Sequence, residues 1–112
     1  MEEITLVSVG DSILTNLAVG ADGSGKHYAS VEVTIGYDNT QKKVSEEFGA
    51  LLHEYMPVAR SVVLACLYSS TYEELRDPDG PAVLADLIKR RLQEEFSTKL
   101  IVAVYLDNWL WQ

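Results

Sequence analysis

The sequence contains few of the residues that catalysis and metal binding use. Of 112 residues, one is cysteine and two are histidine. Cys66 has no second cysteine to pair with, and its apolar surroundings favour a small buried side chain over a reactive thiol. His53-Glu54 begins like the zinc motif H-E-x-x-H, but Pro57 stands where the second histidine belongs. We therefore predict no metal, no cofactor and no catalytic residue.

Basic residues are also scarce. There are 17 acids and 9 bases, giving a net charge of −8. The one basic cluster, 89–91, includes Arg90, which has Asp86 and Glu94 four residues away on either side. Because nucleic acids and anionic membrane surfaces need a positive partner, this balance disfavours both. We predict that the protein binds no nucleic acid.

Long apolar runs and enzyme motifs are missing from the chain. No run reaches the roughly 18 residues of a membrane-spanning helix, and the acidic start is unlike the basic start of a signal peptide. There is no nucleophile elbow and no dinucleotide fingerprint. The glycine-rich segment 20–25 leads into a strand pattern, which favours a hairpin turn over a phosphate-binding loop. We predict a protein that is not an enzyme.

The residues that are present predict strands at both ends of the chain. We expect one domain, 1–112, which is long enough to form a core. Segment 4–9 alternates briefly, and 13–19 and 27–38 read as a hairpin whose second strand has one buried and one wet face. Segment 99–112 is apolar on both faces, so we expect it in the middle of the sheet or covered by a partner.

The middle of the chain predicts helices. Segment 41–55 has an apolar stripe at helical spacing, and the apolar run 62–67 indicates burial on nearly all sides. Thr71 and Glu74 have capping-box spacing, and Asp77 with Pro78 predicts the start of a last helix. The fold class is thus α+β: a small mixed sheet, made of the N-terminal hairpin and the C-terminal strand, with about three helices on one face. The helices can return the chain so that the last strand lies beside the second strand of the hairpin.

Three stretches resemble the FliL family of flagellar basal-body-associated proteins. An apolar helix is followed by L-x-S-x-T-x-E-E-L, a Pro/Gly turn, and a helix with A-x-L…I…L. Asn16-Leu17 is similar to an N-L strand near the start of the family's periplasmic domain. The ending VYLDNWLWQ is similar to the family's V-Y-F-x-x-F-x-x-Q. The resemblance extends over residues 5–112.

This resemblance implies a function. It implies a stomatin/SPFH-like fold whose copies stack into a homo-oligomeric ring around the flagellar stator unit. The ring would hold the stator in an extended, active state through the periplasmic linker of its B subunit. It also implies a location on the periplasmic face of the inner membrane, with an N-terminal anchoring helix that is absent here, so we expect Met1 to be an added residue. A stomatin-like scaffold for another channel or transporter, and a small-ligand binding module, are the alternatives.

The expected contact surface lies at the end of the chain. We expect lateral contacts on the outward side of the last strand, near the terminal tryptophans, and on the helix face around Arg90. Each tryptophan belongs either to the core or to an interface, and the sequence does not distinguish between these two positions. The interaction candidates are Ile101, Ala103, Tyr105, Trp109, Trp111 and Arg90.

Overall fold

The computed structural model describes residues 3–18 and 27–112, except for the side chain of Trp111. The predicted glycine-rich turn lies outside these residues. Four strands form one sheet: β1 (Ile4–Ser8), β2 (Ile13–Asn16), β3 (Tyr28–Asp38) and β4 (Ile101–Trp111). β3 is central, with β1 and β2 along one edge and β4 along the other. The α+β fold class is therefore confirmed.

β1 and β2 are two parts of one interrupted strand. β1 pairs with residues 34–38 of β3, and β2 pairs with residues 28–31. The break contains Gly10, whose φ of 106° is a left-handed backbone conformation that suits glycine. Arg60 reaches this break from the helical layer, and its Nη1 donates to the carbonyls of Val9 (2.8 Å) and Asp11 (3.0 Å). This contact ties the interrupted strand to the helices.

Four helices follow β3: α1 (Lys42–Glu54), α2 (Met56–Tyr68), α3 (Tyr72–Arg76) and α4 (Gly80–Glu95). α2 packs over β2, and α4 packs over β4 and against α2. The alternation predicted for β3 is confirmed, because its odd-numbered side chains from 29 to 37 are buried against these helices. The core is completed from the helices by a set of fully or nearly fully buried side chains: Phe48, Leu52, Ala59, Val63, Leu67, Leu84, Ile88 and Leu92.

One helix boundary is predicted correctly and another is not. The capping box is present: Thr71 Oγ1 accepts from Glu74 N at 3.2 Å, and Glu74 Oε1 accepts from Thr71 N at 3.0 Å. The predicted cap at Asp77 is wrong, since α4 begins at Gly80 after Asp79. The carboxylate of Asp77 instead accepts from Asp79 N at 2.9 Å, which closes a turn before the helix.

β4 lies beside β3 as expected, but the strands of the sheet are all antiparallel rather than mixed. The short turn after α4 reverses the chain so that Asp38 N donates to Leu100 O at 2.8 Å. β4 then runs back along β3 and forms an edge of the sheet. Of the two expectations for this strand, a central position is therefore wrong, and coverage of its outward face by a partner stays a prediction.

No helix in the described ranges is by itself long and apolar enough to cross a membrane. α1 and α2 meet the requirement only when taken together, and their axes are bent by 72° at the junction.

Candidate interaction surface

One face of the sheet carries no helix in the described part of the structure. Even-numbered residues of β3 point to this face, together with their partners in the neighbouring strands. Five large apolar side chains are exposed here: Leu6 (60%), Leu14 (68%), Tyr28 (49%), Tyr105 (41%) and Leu110 (54%). We call these five side chains, together with Ala103, Glu32 and Asp107, the outer sheet face. An exposed apolar area of this kind is typical of interaction sites.

Two acidic residues divide the outer sheet face. Glu32 and Asp107 are register partners on β3 and β4, and we call this pair the acidic row. Asn108 Nδ2 donates to Glu32 Oε2, and Ser12 Oγ approaches Glu32 Oε1 at 3.5 Å. No lysine or arginine among the described residues forms a salt bridge with either carboxylate. Among the described residues, the hydrogen-bond partners of the acidic row are thus neutral groups.

The two sides of the acidic row are apolar. On one side, Leu14, Ser30 and Leu110 lie in one register across the strands. On the other side, the register runs through Leu6, Gly36 and Ala103. The pattern on this face is therefore apolar, acidic, apolar.

Gly36 keeps the second apolar side closely packed. A Cβ added at Gly36 would lie 2.9 Å from Ile4 Cγ2 and 3.3 Å from Ala103 Cβ. The neighbouring side chains close over the bare backbone, so this part of the face is continuous across three strands.

The structure separates the predicted residues of β4. Ala103 and Tyr105 lie on the outer sheet face, as expected, with Tyr105 exposed and Ala103 half-buried. Ile101 does not lie beside them: it is fully buried in the core and pairs with Tyr37. The cause is a bulge at Val102, which adds one residue between the partners of Gly36 and Tyr37 and reverses the alternation. Alternation in the sequence cannot reveal such an insertion.

The other predicted residues have different environments. Trp109 is half-buried and packs against the hydrophobic core. The side chain of Trp111 lies outside the described part of the structure. Arg90 is exposed on α4, and its Nε donates to Asp86 Oδ2 at 3.0 Å, which confirms the predicted helical pair.

A second exposed apolar surface runs along α2. Leu64 and Tyr68 are exposed one helical turn apart, and we call them the α2 stripe. The prediction that the run 62–67 is buried on nearly all sides is therefore wrong, because Leu64 and Ala65 face outward. The stripe continues toward β2, since Leu64 and Leu14 line one groove together. The hydropathy of the run 62–67 indicates an apolar helix but does not indicate which side of that helix is exposed.

The free thiol of Cys66 lies in a groove of the helical layer. A groove of about 500 Å³ between α2 and α4 is lined by Cys66, Arg91 and Glu94 among others. Burial raises the pKa of the Cys66 thiol, and the nearby Arg91 only partly opposes this, so the thiol stays protonated near neutral pH. Within the described ranges, no three histidine, cysteine or acidic side chains cluster as metal ligands.

Sequence comparison agrees with this picture of an interaction domain. The family model described as "Flagellar basal body-associated protein FliL" matches residues 6–112. The chain belongs to the FliL family. FliL proteins are structural accessories of the flagellar basal body and are not known as enzymes. No curated protein matches this FliL chain in sequence.

Proposed function

We propose that this chain is the periplasmic domain of a motor accessory protein, anchored in the inner membrane by a preceding helix. Copies form a ring around the flagellar stator unit and support its active state through the periplasmic linker of the B subunit. The observation that carries the proposal is the outer sheet face, a large uncovered surface on a domain of a basal-body family.

This function requires surfaces rather than reacting groups. A ring needs two different lateral surfaces that fit each other head to tail, with a rotation that closes. The domain has two distinct sides: α2 lies over β2, and α4 lies over β4. The α2 stripe belongs to the first side and Arg90 to the second. In the ring, the α2 stripe of one copy contacts the α4 side of the next.

The outer sheet face remains available in such a ring. Apart from Leu14 at the edge beside α2, it lies on the side of the sheet opposite the helices, so lateral contacts through α2 and α4 leave its β3 and β4 residues open to another protein. Tyr105, two residues before Asp107 on β4, is an exposed aromatic side chain of this face beside the acidic row.

The test is co-purification of the full-length, membrane-anchored protein from its own cells, with the bound proteins identified by mass spectrometry. We expect stator subunits to co-purify with the wild type and to be lost from Tyr105→Lys. The matched control is Tyr55→Lys, since Tyr55 is 46% exposed against 41% for Tyr105 but lies at the α1–α2 junction. Tyr55→Lys should retain the stator.

Two results would overturn the proposal. One is co-purification of another channel or transporter with stator subunits at background, which supports the scaffold alternative. The other is equal loss of the stator from both tyrosine variants while both remain folded.

The ring is tested separately in membranes. Tethering raises the effective concentration of the domain, so cross-linking is done on the anchored protein rather than in dilute solution. Cysteines introduced at Leu64 and Arg90 should form cross-linked ladders longer than a dimer when combined in one chain, and dimers at most when used singly. Absence of a ladder in the combined variant contradicts the head-to-tail contact.

A further inference from the structure

We propose that the outer sheet face binds an amphipathic helix of a different protein, one that presents a basic side chain between apolar side chains. The inference deepens the proposed function, and it rests on that function for the partner being a component of the motor. The sequence predicts contacts between neighbouring copies at Tyr105, whereas the charge pattern of the face favours a different partner there.

The charge pattern of the face specifies the partner's charge. Glu32 and Asp107 are directly opposed register partners on adjacent strands, where like charges repel each other. Covering the face with apolar groups alone would remove water from two carboxylates without supplying a counter-charge, which is strongly unfavourable. A partner that fills the apolar sides must therefore bring an arginine or lysine to the acidic row.

A second copy of the chain does not meet this requirement. Two outer sheet faces stacked on each other would bring two acidic rows together, between chains that each carry a net charge of −8. The α2 stripe of another copy would bring no charge, because Leu64 and Tyr68 are neutral. Charge complementarity thus favours a different chain.

The basic side chains of α2 and α4 already have acidic or polar neighbours within their own chain. Lys89 and Arg90 contact Asp86, and Arg91 shares its groove with Glu94. Arg60 is held by two backbone carbonyls. An anionic membrane surface is disfavoured by the same acidic row, since it would be repelled.

The dimensions of the face fit a helix. The two apolar registers cross β3 at Ser30 and Gly36, and the acidic row lies between them. At the rise per residue of a β-strand, these two positions are about 20 Å apart. About 14 helical residues cover this distance. A base at position i with apolar residues at i−7, i−3, i+4 and i+7 matches the apolar, acidic, apolar order along one helix face. Helices are also the usual cover for the second face of a sheet.

The test uses two designed helical peptides of 18 residues and the ¹⁵N-labelled chain. Both peptides carry leucine at positions 2, 6, 13 and 16 on an alanine and glutamine background. One has arginine at position 9 and the other has glutamate there. We expect the arginine peptide to shift the amide resonances of β3 and β4 around Tyr105 and Leu110, and to bind at least tenfold more tightly than the glutamate peptide.

Variants of the chain test the role of the acidic row. The double variant Glu32→Gln, Asp107→Asn should abolish the preference for the arginine peptide while keeping the fold. The matched control, Glu46→Gln with Glu47→Gln, neutralises two exposed acids on α1 and should keep the preference. Glu32→Arg should reverse the preference in favour of the glutamate peptide.

Several outcomes would overturn the inference. Equal affinity for the two peptides, resonance shifts confined to the α2 stripe, or no shift at millimolar peptide would each do so. Self-association of the wild type that disappears in Leu110→Lys would assign the face to a second copy instead. If the arginine peptide binds as expected but no stator subunit co-purifies in cells, the proposed function fails and the binding chemistry stands. If stator subunits co-purify equally well after the acidic row is neutralised, the proposed function stands and the inference about the acidic row fails.

Discussion

Glu32 and Asp107 lie directly opposite each other on β3 and β4. Their described hydrogen-bond donors are the Asn108 side-chain amide and the Ser12 hydroxyl for Glu32, and the Asn108 backbone N–H for Asp107, with no described base among them. Two like charges in register on one sheet face lower the stability of the isolated domain. The pair is consistent with a surface arranged for binding rather than for stability.

The first prediction concerns this pair. Asp107→Asn should raise the free energy of unfolding by about 0.2–1 kcal/mol, the usual size of a cross-strand pair effect. The gain should shrink in high salt, because salt screens exposed charges. Urea unfolding at low and high sodium chloride measures both effects. Glu46→Gln on α1 is the control, and an equal gain from it would attribute the effect to net charge rather than to the pair.

The architecture could be predicted well from the sequence because each element has a local signal. Alternation along β3, the apolar stripes of α1 and α4, and the Thr71–Glu74 capping box are visible in single segments. The position of β4 could not be predicted, because apolar residues on both faces of a strand are compatible with either a central strand or an uncovered edge. Only the tertiary structure distinguishes these cases.

The candidate surface could be predicted only in part. Ala103 and Tyr105 were found by alternation, but Ile101 was misassigned because a bulge at Val102 has no signal in the sequence. The acidic row was also missed, since Glu32 and Asp107 are 75 positions apart in the chain and are brought together by strand pairing. Pairings of this kind between distant segments determine the surface more than any local motif does.

The second prediction concerns the capping box of α3. Thr71→Ala should lower the free energy of unfolding by about 1 kcal/mol, because Glu74 N then loses its acceptor. Thr71→Ser keeps the hydroxyl and should stay close to wild type. Urea unfolding of the two variants side by side measures the difference. Equal losses would mean that the methyl group, and not the cap, carries the effect.

The third prediction concerns the two helical glycines. A Cβ at Gly80 would overlap the carbonyl oxygen of Glu74 and lie 2.9 Å from that of Leu75, so Gly80→Ala should cost about 1–3 kcal/mol of stability. A Cβ at Gly49 meets the hydroxyl end of the Tyr37 side chain rather than backbone, and alanine there gains about 1 kcal/mol of helix propensity, which offsets part of the cost of moving this ring. Thermal unfolding should rank Gly80→Ala as clearly the less stable variant. The reverse order would show that the α3–α4 backbone can move apart at little cost.

The fourth prediction concerns pH and Asp38. Hydrogen bonds from the backbone N–H of Thr40 (2.8 Å) and from its hydroxyl (2.7 Å) hold the pKa of the Asp38 carboxyl below its ordinary value of 3.8. The folded state therefore binds this proton more weakly than the unfolded state does. The resulting stabilisation is present above pH 3.8 and is lost as the pH falls through the lower pKa of the folded state. NMR titration of the side-chain carboxyl should give a midpoint below 3.8. In Thr40→Val, which removes the hydroxyl but keeps the backbone donor, the midpoint should move upward toward that value without reaching it. A midpoint at or above 3.8 in the wild type would mean that the turn between β3 and α1 is not held by this carboxylate in solution.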